Sequence, residues 1–392
     1  MEFLGYQYYK LYRIFLLSLG LWPYDSSFFK RIYMIFCIFT LLFSIITQFL
    51  KLFTTECNLV FVLTDLSFVI PCIAYLLKYS TFCIQSQKIK KLMEHIRIDW
   101  TVLQDEEEIE IIQKYAKTAR RYMYAFVGVA YPGTIVYISI PILPDFLDIV
   151  SPLNESRKRY LPFLAEYFLD EQKYFYPILL HMAITIVIGV VTVVTTETLT
   201  FAYVCHVCGM FEIVSYRITC ALDKSISILL NEENMIRVKL IGAVEIHQKA
   251  FKFFEYLIST FSLSYFILII LGVVSLSLNL FRLFQTATLP DQRKDFAPYV
   301  IFVLAHFYYM FICNYMGQKV IDSSTDIFRK AYDTQWYMTP IQTQKLLLFV
   351  MQRTMKSCKI IMGNLYCASV EQFTTLASMS LSYFTVIYSV QQ

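Results

Sequence analysis

Seven apolar runs, each close to the length of a bilayer crossing, constrain this chain more than any other feature. They are roughly Ile32–Leu50, Leu59–Leu77, Met123–Ile142, Phe175–Val204, Phe253–Leu280, Ala297–Asn314 and Phe373–Val390. A helix rising about 1.5 Å per residue needs about 20 apolar residues to cross a hydrocarbon core of about 30 Å. The runs are continuous and lack the ten-residue alternation of barrel strands, so an all-α fold of seven transmembrane helices is expected. The fourth and fifth runs exceed the bilayer and are expected to tilt or to project beyond it. Charged residues make up only 16% of the chain, which argues against a cytosolic enzyme and for a chain solvated by lipid. A net charge of +4 is too small to suggest a nucleic-acid partner.

Basic residues between the runs set the orientation. Of the 34 Lys and Arg, 26 fall in the N-terminal region and the second, fourth and sixth loops, and 8 in the first, third and fifth. The side richer in positive charge is cytosolic, so the N-terminus is expected inside and the C-terminus outside. The sequon Asn154-Glu155-Ser156 lies in the third loop, on the outer side, and makes Asn154 a glycosylation candidate. The apolar stretch Ile14–Trp22 is too short and lacks the small-residue site of a cleavable signal.

Catalysis has no visible home. There is no Gly-rich phosphate loop, no H-E-x-x-H and no G-x-S-x-G, and no cofactor is expected. Cys205-His206-Val207-Cys208 has metal-like spacing without a second pair, so it reads as helix packing and no metal site is assigned. Only Cys57 lies clearly in an outside loop, which argues against a disulfide framework. The acidic run Asp105–Glu108 with Glu110 reads as a solvated cytosolic helix face.

Ionisable groups inside spans are candidates for function because lipid disfavours them. Asp65 is the clearest, and either bonds a neighbouring helix or lines a cavity. Glu197, His181 and His306 lie nearer span ends or among Thr and Tyr partners. In the last run, Glu371, Thr375, Ser378, Ser382, Thr385 and Ser389 fall on one face at 100° per residue, with Thr374 at its edge. Leu376, Tyr383, Phe384 and Ile387 lie opposite, Ser380 being an exception. A hydroxyl stripe suits a water-filled pathway, with Val386 beside it as a dewetting gate. It suits helix-to-helix hydrogen bonding equally well. A single helix cannot enclose a pore, so the first alternative requires several subunits. The sixth loop carries a helical stretch around Gln342–Cys358 whose Leu346, Leu347, Val350 and Thr354 form a packing face for assembly.

The outer halves of four spans, Leu59–Phe68, Tyr131–Ile142, Phe175–Gly189 and Ala297–His306, are rich in aromatic and branched residues with isolated polar groups. Such a lining suits a small, mostly apolar molecule, and ordinary aromatic packing gives the same composition. The candidate contacts are Asp65, Phe68, Tyr131, Ile135, Tyr137, His181, Thr185, Tyr299, Phe302 and His306. Pro132-Gly133 and Pro141 are expected to break the third helix and open space beside it.

The chain resembles the insect odorant receptors almost end to end. Gly20-Leu21-Trp22-Pro23 is similar to the family's N-terminal motif. Leu161-Pro162-Phe163, Tyr174-Phe175-Tyr176 and the stretch His206, Cys208-Gly209-Met210-Phe211, Ser215-Tyr216-Arg217 resemble its hymenopteran-type branch. The strongest likeness is C-terminal, at Asn314-Tyr315, Gly317-Gln318, Ala331-Tyr332, Trp336-Tyr337, Gly363, Phe373 and Ser382-Tyr383-Phe384-Thr385. Where the family commonly has Pro before an Ala-Gly pair, this chain has Ser357 and Met362-Gly363.

The resemblance implies an odorant-gated, non-selective cation channel assembled as a tetramer with a shared coreceptor. It brings Val386 onto the hydrophobic gate and Ser389 onto a polar pore position, completing the pore set Ser378, Ser382, Thr385, Val386 and Ser389. The coreceptor carries a long extra segment between the fourth and fifth spans. Only about 48 residues, Cys205–Lys252, lie there in this chain, which marks an odorant-specific tuning subunit. The implied organisation is a cytosolic N-terminal segment (1–31), six spans with an odorant pocket in the outer half (32–314), a cytosolic assembly segment (315–372) and a pore-lining last helix (373–392). The implied place is the plasma membrane of olfactory sensory neuron dendrites, with lipid and a small volatile or lipid-like odorant as partners. A homomeric channel of the gustatory branch is the alternative. A G-protein-coupled receptor is a third, disfavoured by orientation and by the absence of Asp-Arg-Tyr and Asn-Pro-x-x-Tyr.

Overall fold

The computed structural model describes residues 5–55, 58–151, 157, 159–223, 233–288 and 296–391. Cys57 and the Asn154 sequon lie outside them. The described chain is almost entirely helical: α1 (Tyr6–Ser18), α2 (Phe28–Thr54), α3 (Leu59–Ile84), α4 (Ser86–Val102), α5 (Glu106–Ser139), α6 (Leu143–Val150), α7 (Phe175–Asp223), α8 (Glu233–Thr288), α9 (Phe296–Tyr332), α10 (Ile341–Thr354) and α11 (Val370–Gln391). Six helical segments, one of them α5 running on through α6, are long and apolar enough to cross a bilayer. The seventh, α11, is not among them. Its 22 residues reach about 33 Å, but Ser and Thr dilute its apolar character.

Local chemistry sets the helix ends. Ser27, Asn58 and Asp105 each accept a backbone N–H of the first turn of α2, α3 and α5. Gly20, at φ +67°, closes α1: its N–H reaches Leu17 O at 3.1 Å while Leu21 N–H reaches Leu16 O at 2.8 Å. The N-terminal segment is therefore a docked helix, with Tyr8, Tyr12 and Leu16 buried.

The 49 residues of α7 and the 56 of α8 run on well past the apolar runs that seeded them, longer than a bilayer crossing as the sequence leads one to expect. Other expectations need correction. Pro132 does not break α5, which continues to Ser139; the break comes at Pro141, in a 3-10 turn spanning Ile140–Ile142. An extended helix can satisfy the carbonyl freed by one proline through its surroundings, so a lone Pro is a weak stop inside a membrane. The acidic run is not wholly solvated. Glu108 is buried and accepts both Nε (2.5 Å) and an Nη (2.8 Å) of Arg217. On α10, Leu347, Met351 and Thr354 turn inward against this chain's own α8 and α9, so much of that face is spent within the subunit.

At the end of the bundle that carries α1, one continuous core joins α1, α2, α3, α4, α5, α7, α8, α9 and α10. At the opposite end the buried side chains separate into small groups, one around Phe163, Ala165, Ile178 and Met182 and another around Leu63, Ile70, Leu278 and Phe281.

Candidate functional site

The loosely packed end contains most of the predicted contacts. Phe68 is its centre, with ring centroids 6.2 Å from Phe163, 6.2 Å from Tyr299 and 5.7 Å from Phe302. Tyr137 meets Phe302 edge-on at 5.2 Å, and its hydroxyl donates to Pro162 O at 2.8 Å. The segment 161–167 thus folds over the cluster and is pinned from two sides. Its far end is tied to α2, since Glu166 N–H donates to Thr47 O (2.8 Å) and the Glu166 carboxylate takes Lys51 at 3.2 Å. Burial works against the Glu166 charge, yet the Phe168 N–H and Lys51 hold its carboxyl below the ordinary range.

Polar groups thread this layer. His181 Nδ1 lies 2.9 Å from the Tyr167 hydroxyl, and Thr185 donates to His181 O at 3.0 Å. His306 reaches Ser275 Oγ at 2.9 Å and Phe302 O at 2.7 Å. Asp65 makes no hydrogen bond to a neighbouring helix: both its oxygens are buried without a partner among the described residues. Two predicted contacts fall elsewhere. Ile135 is 69% exposed and points out of the bundle, and Tyr131 packs on the large core. Counting along α5 places both near the right depth, but only the packed helix fixes which way each turns.

A second constellation escaped the sequence reading. Lys78, beyond the apolar run of the second span, is buried and pairs with Glu197. Tyr309 and Tyr265 hydroxyls donate to the same carboxylate at 3.0 and 3.1 Å, and Lys78 lies 4.8 Å from the Tyr265 ring. Four helices, α3, α7, α8 and α9, are thereby joined by one ion pair. The signal was available, because the carboxylate of Glu197 needs a cation at its own depth and Lys78 is the first basic residue after that span. Beside this pair runs a cleft of about 550 Å³ including its open mouth, lined by Thr200, Phe261, Tyr265, Cys313 and Met362 among others. None of the predicted outer residues lines it.

The C-terminal signature residues build the entry to α11. Strands β1 (Ile361–Met362) and β2 (Tyr366–Cys367) form a hairpin through Gly363 and Asn364, both at φ +58°, with Leu365 N–H returning to Met362 O. Gly363 lies on Phe266 so closely that a Cβ there would come within 2.4 Å of the ring. Asn314 accepts the Tyr366 hydroxyl (2.5 Å) and Ser369 N–H (3.3 Å), and Gly317 leaves room for the Ala368 backbone. These contacts fix where α11 begins against α9.

Along α11 itself, Leu376 and Ser380 are buried and Phe384 and Ile387 pack inward, whereas Ser378, Ser382, Thr385, Val386 and Ser389 are exposed. Tyr383, expected on the packed side, is exposed as well. The stripe hydroxyls donate to carbonyls of their own helix, Ser382 to Ser378 O, Thr385 to Ser382 O and Ser389 to Val386 O, at 2.7–2.9 Å. Their oxygens remain free to face water. Cys205 and Cys208 are buried in packing and His206 pairs with Asp99 at 3.0 Å; no group of three metal-binding side chains occurs among the described residues.

A bundle of helices long and apolar enough to cross a membrane is the architecture of a multi-pass membrane protein. The family model for the 7tm odorant receptor matches residues 58–381. The chain belongs to that family. It is 23% identical over 187 residues to odorant receptor 22c of Drosophila melanogaster and 24% identical over 153 residues to odorant receptor 33b of the same fly. These stretches are 46% and 39% of this chain and span only 45% and 40% of those receptors. Its fold is similar to that of the insect olfactory receptor OR5 from Machilis hrabei. The eugenol complex of that receptor superposes with a TM-score of 0.81 at 14% identity, covering 98% of each chain. The structure of OR5 described without eugenol superposes with a TM-score of 0.79, again at 14% identity and 98% coverage of each chain.

Proposed function

We propose that the chain is an odorant-specific subunit of a ligand-gated, non-selective cation channel, assembled with a shared coreceptor as a tetramer. Small volatile or lipid-like odorants enter the layer around Phe68, and α11 lines the pore. The exposed hydroxyl face of α11 carries this reading, because a helix that packs its apolar side on its own subunit and leaves Ser378, Ser382, Thr385 and Ser389 outward is suited to a shared aqueous axis. The distribution of basic residues supports a cytosolic N-terminus, with residues 315–372 as the inner assembly region and α11 ending outside. The plasma membrane of olfactory neuron dendrites is the matching location. An odorant opens the channel to the extent that it contacts the open arrangement better than the closed one.

Recording from cells that express the chain with and without the coreceptor tests this. Fast odorant currents that require the coreceptor and persist under G-protein blockade are expected; currents abolished by the blockade would sink the channel reading. Currents of equal size without the coreceptor would point instead to a homomeric assembly.

A further inference from the structure

The outer layer has an excess of buried hydrogen-bond acceptors. Gln48 lies on α2 and Asp65 on α3, two helices that pack on each other. The Gln48 amide is oriented by its Nε2, which donates to Ser44 O at 3.1 Å and faces Cys72 Sγ at 3.5 Å. Its Oε1 is left buried without a partner, as are both Asp65 oxygens. On the third wall, α7, His181 is tied by Nδ1 to Tyr167, and only its Nε2 is unpartnered. The Gln48 amide meets α3 at Cys72, two turns beyond Asp65, so both Asp65 oxygens stand buried without a donor among the described residues. The nearby cations do not close the gap: Lys51 is held by Glu166 and Glu171, and Arg282 by Gln285 and the Tyr299 hydroxyl.

A buried carboxylate without a partner is costly, and a cationic donor removes that cost. One turn along α3 from Asp65, Phe68 gathers Phe163, Tyr299 and Phe302. Aromatic faces beside a carboxylate are the usual setting for an organic ammonium, and Arg282 already lies 5.3 Å from the Tyr299 ring. An ammonium carries donors and no acceptor, the complement of a carboxylate whose two oxygens have no partner.

We propose that this site selects small organic amines, bound as ammonium ions by Asp65 with the carbon skeleton among Phe68, Phe163, Tyr299 and Phe302. The proposal rests on the outer layer being the odorant pocket. Space for the ligand comes from rotation of Phe68 and its neighbours, whose rings fill the layer.

Matched probes test it: 2-phenylethylamine, 2-phenylethanol and ethylbenzene share a skeleton and differ in the polar group. Binding to the purified receptor is measured by competition and currents are measured in coreceptor-expressing cells. The amine is expected to bind about tenfold or more tightly than the alcohol, the worth of a charge-assisted hydrogen bond. Asp65→Asn should collapse that ratio towards one, and Asp65→Glu should restore part of it. Equal affinities for all three probes in the unaltered chain, or an amine-to-alcohol ratio unmoved by both substitutions, would overturn the proposal. Selective amine binding without any current supports the amine site while sinking the channel reading, so the two failures are distinguishable.

Discussion

The two ends of this bundle are packed by different rules. At the end bearing α1, a single apolar core joins nine of the described helices, and polar groups there are paired: Glu108 with Arg217, His206 with Asp99. At the other end the side chains form small separate groups, aromatic rings meet edge-on, and Asp65 and Gln48 keep unpartnered oxygens. Between them stands the Lys78–Glu197 pair. The contrast teaches that the chain concentrates its shared core in one half and divides the other into small separate groups, the kind of region that opens locally at lower cost. Substitutions should therefore separate into those that lower stability and those that alter selectivity.

The largest effect is expected at the ion pair. Glu197→Ala should strand Lys78 in the bundle and cost about 3–5 kcal/mol, read as a lower melting temperature of the detergent-purified receptor and poor surface delivery. Replacing both partners by Met should recover most of that loss. A double variant no better than the single one would show that the pair is not the source.

The hairpin comes next. Gly317→Val should clash with the Ala368 backbone, and Gly363→Val with Phe266, at about 1–3 kcal/mol each from overpacking. Because both sites set the start of α11, odorant currents should fall more than surface expression does. Equal losses in the two readouts would refute the coupling.

In the outer layer, Tyr137→Phe removes the hydrogen bond to Pro162 and should cost about 1 kcal/mol. Phe68→Leu should reorder a panel of odorants with a similarly small change in melting. An unchanged ranking across both variants would remove Phe68 and Tyr137 from the pocket. Val386→Ala touches an exposed side chain, so melting should move by less than about 0.5 kcal/mol while basal leak or gating changes. Gating and leak identical to the parent would withdraw Val386 as a gate.

The smallest effect concerns Glu166, whose carboxyl is held below its ordinary range. Its contribution is full above the unfolded-state value and is lost as pH falls through the depressed one. Glu166→Gln should therefore be less stable than the parent at neutral pH, with little difference between the two at strongly acidic pH. A constant difference at every pH would exclude the carboxylate as its cause.

Much of this was readable from residues alone, for definite reasons. Continuous apolar runs named the helices because a bilayer leaves the backbone no other solution. The hydroxyl stripe of α11 was legible because 100° per residue is a property of the helix itself, and the exposed set Ser378, Ser382, Thr385 and Ser389 follows it. Tyr383 failed because opposite the stripe is not the same as against a neighbour. Ile135 failed for a related reason, since periodicity gives a relative phase and only packing gives the absolute direction. Lys78 was missed because hydropathy ended its helix early, although α3 runs on to Ile84.

Sequence by itself determined that lipid is the solvent, where the apolar runs lie, which face of the last one is polar, and which family the motifs resemble. Those properties depend on composition and on the period of one helix. Only the tertiary structure decided which ionisable groups are compensated: Glu197 and Glu108 found cations, and Asp65 did not. Such compensation depends on residues more than a hundred positions apart meeting at one depth, which no local pattern encodes.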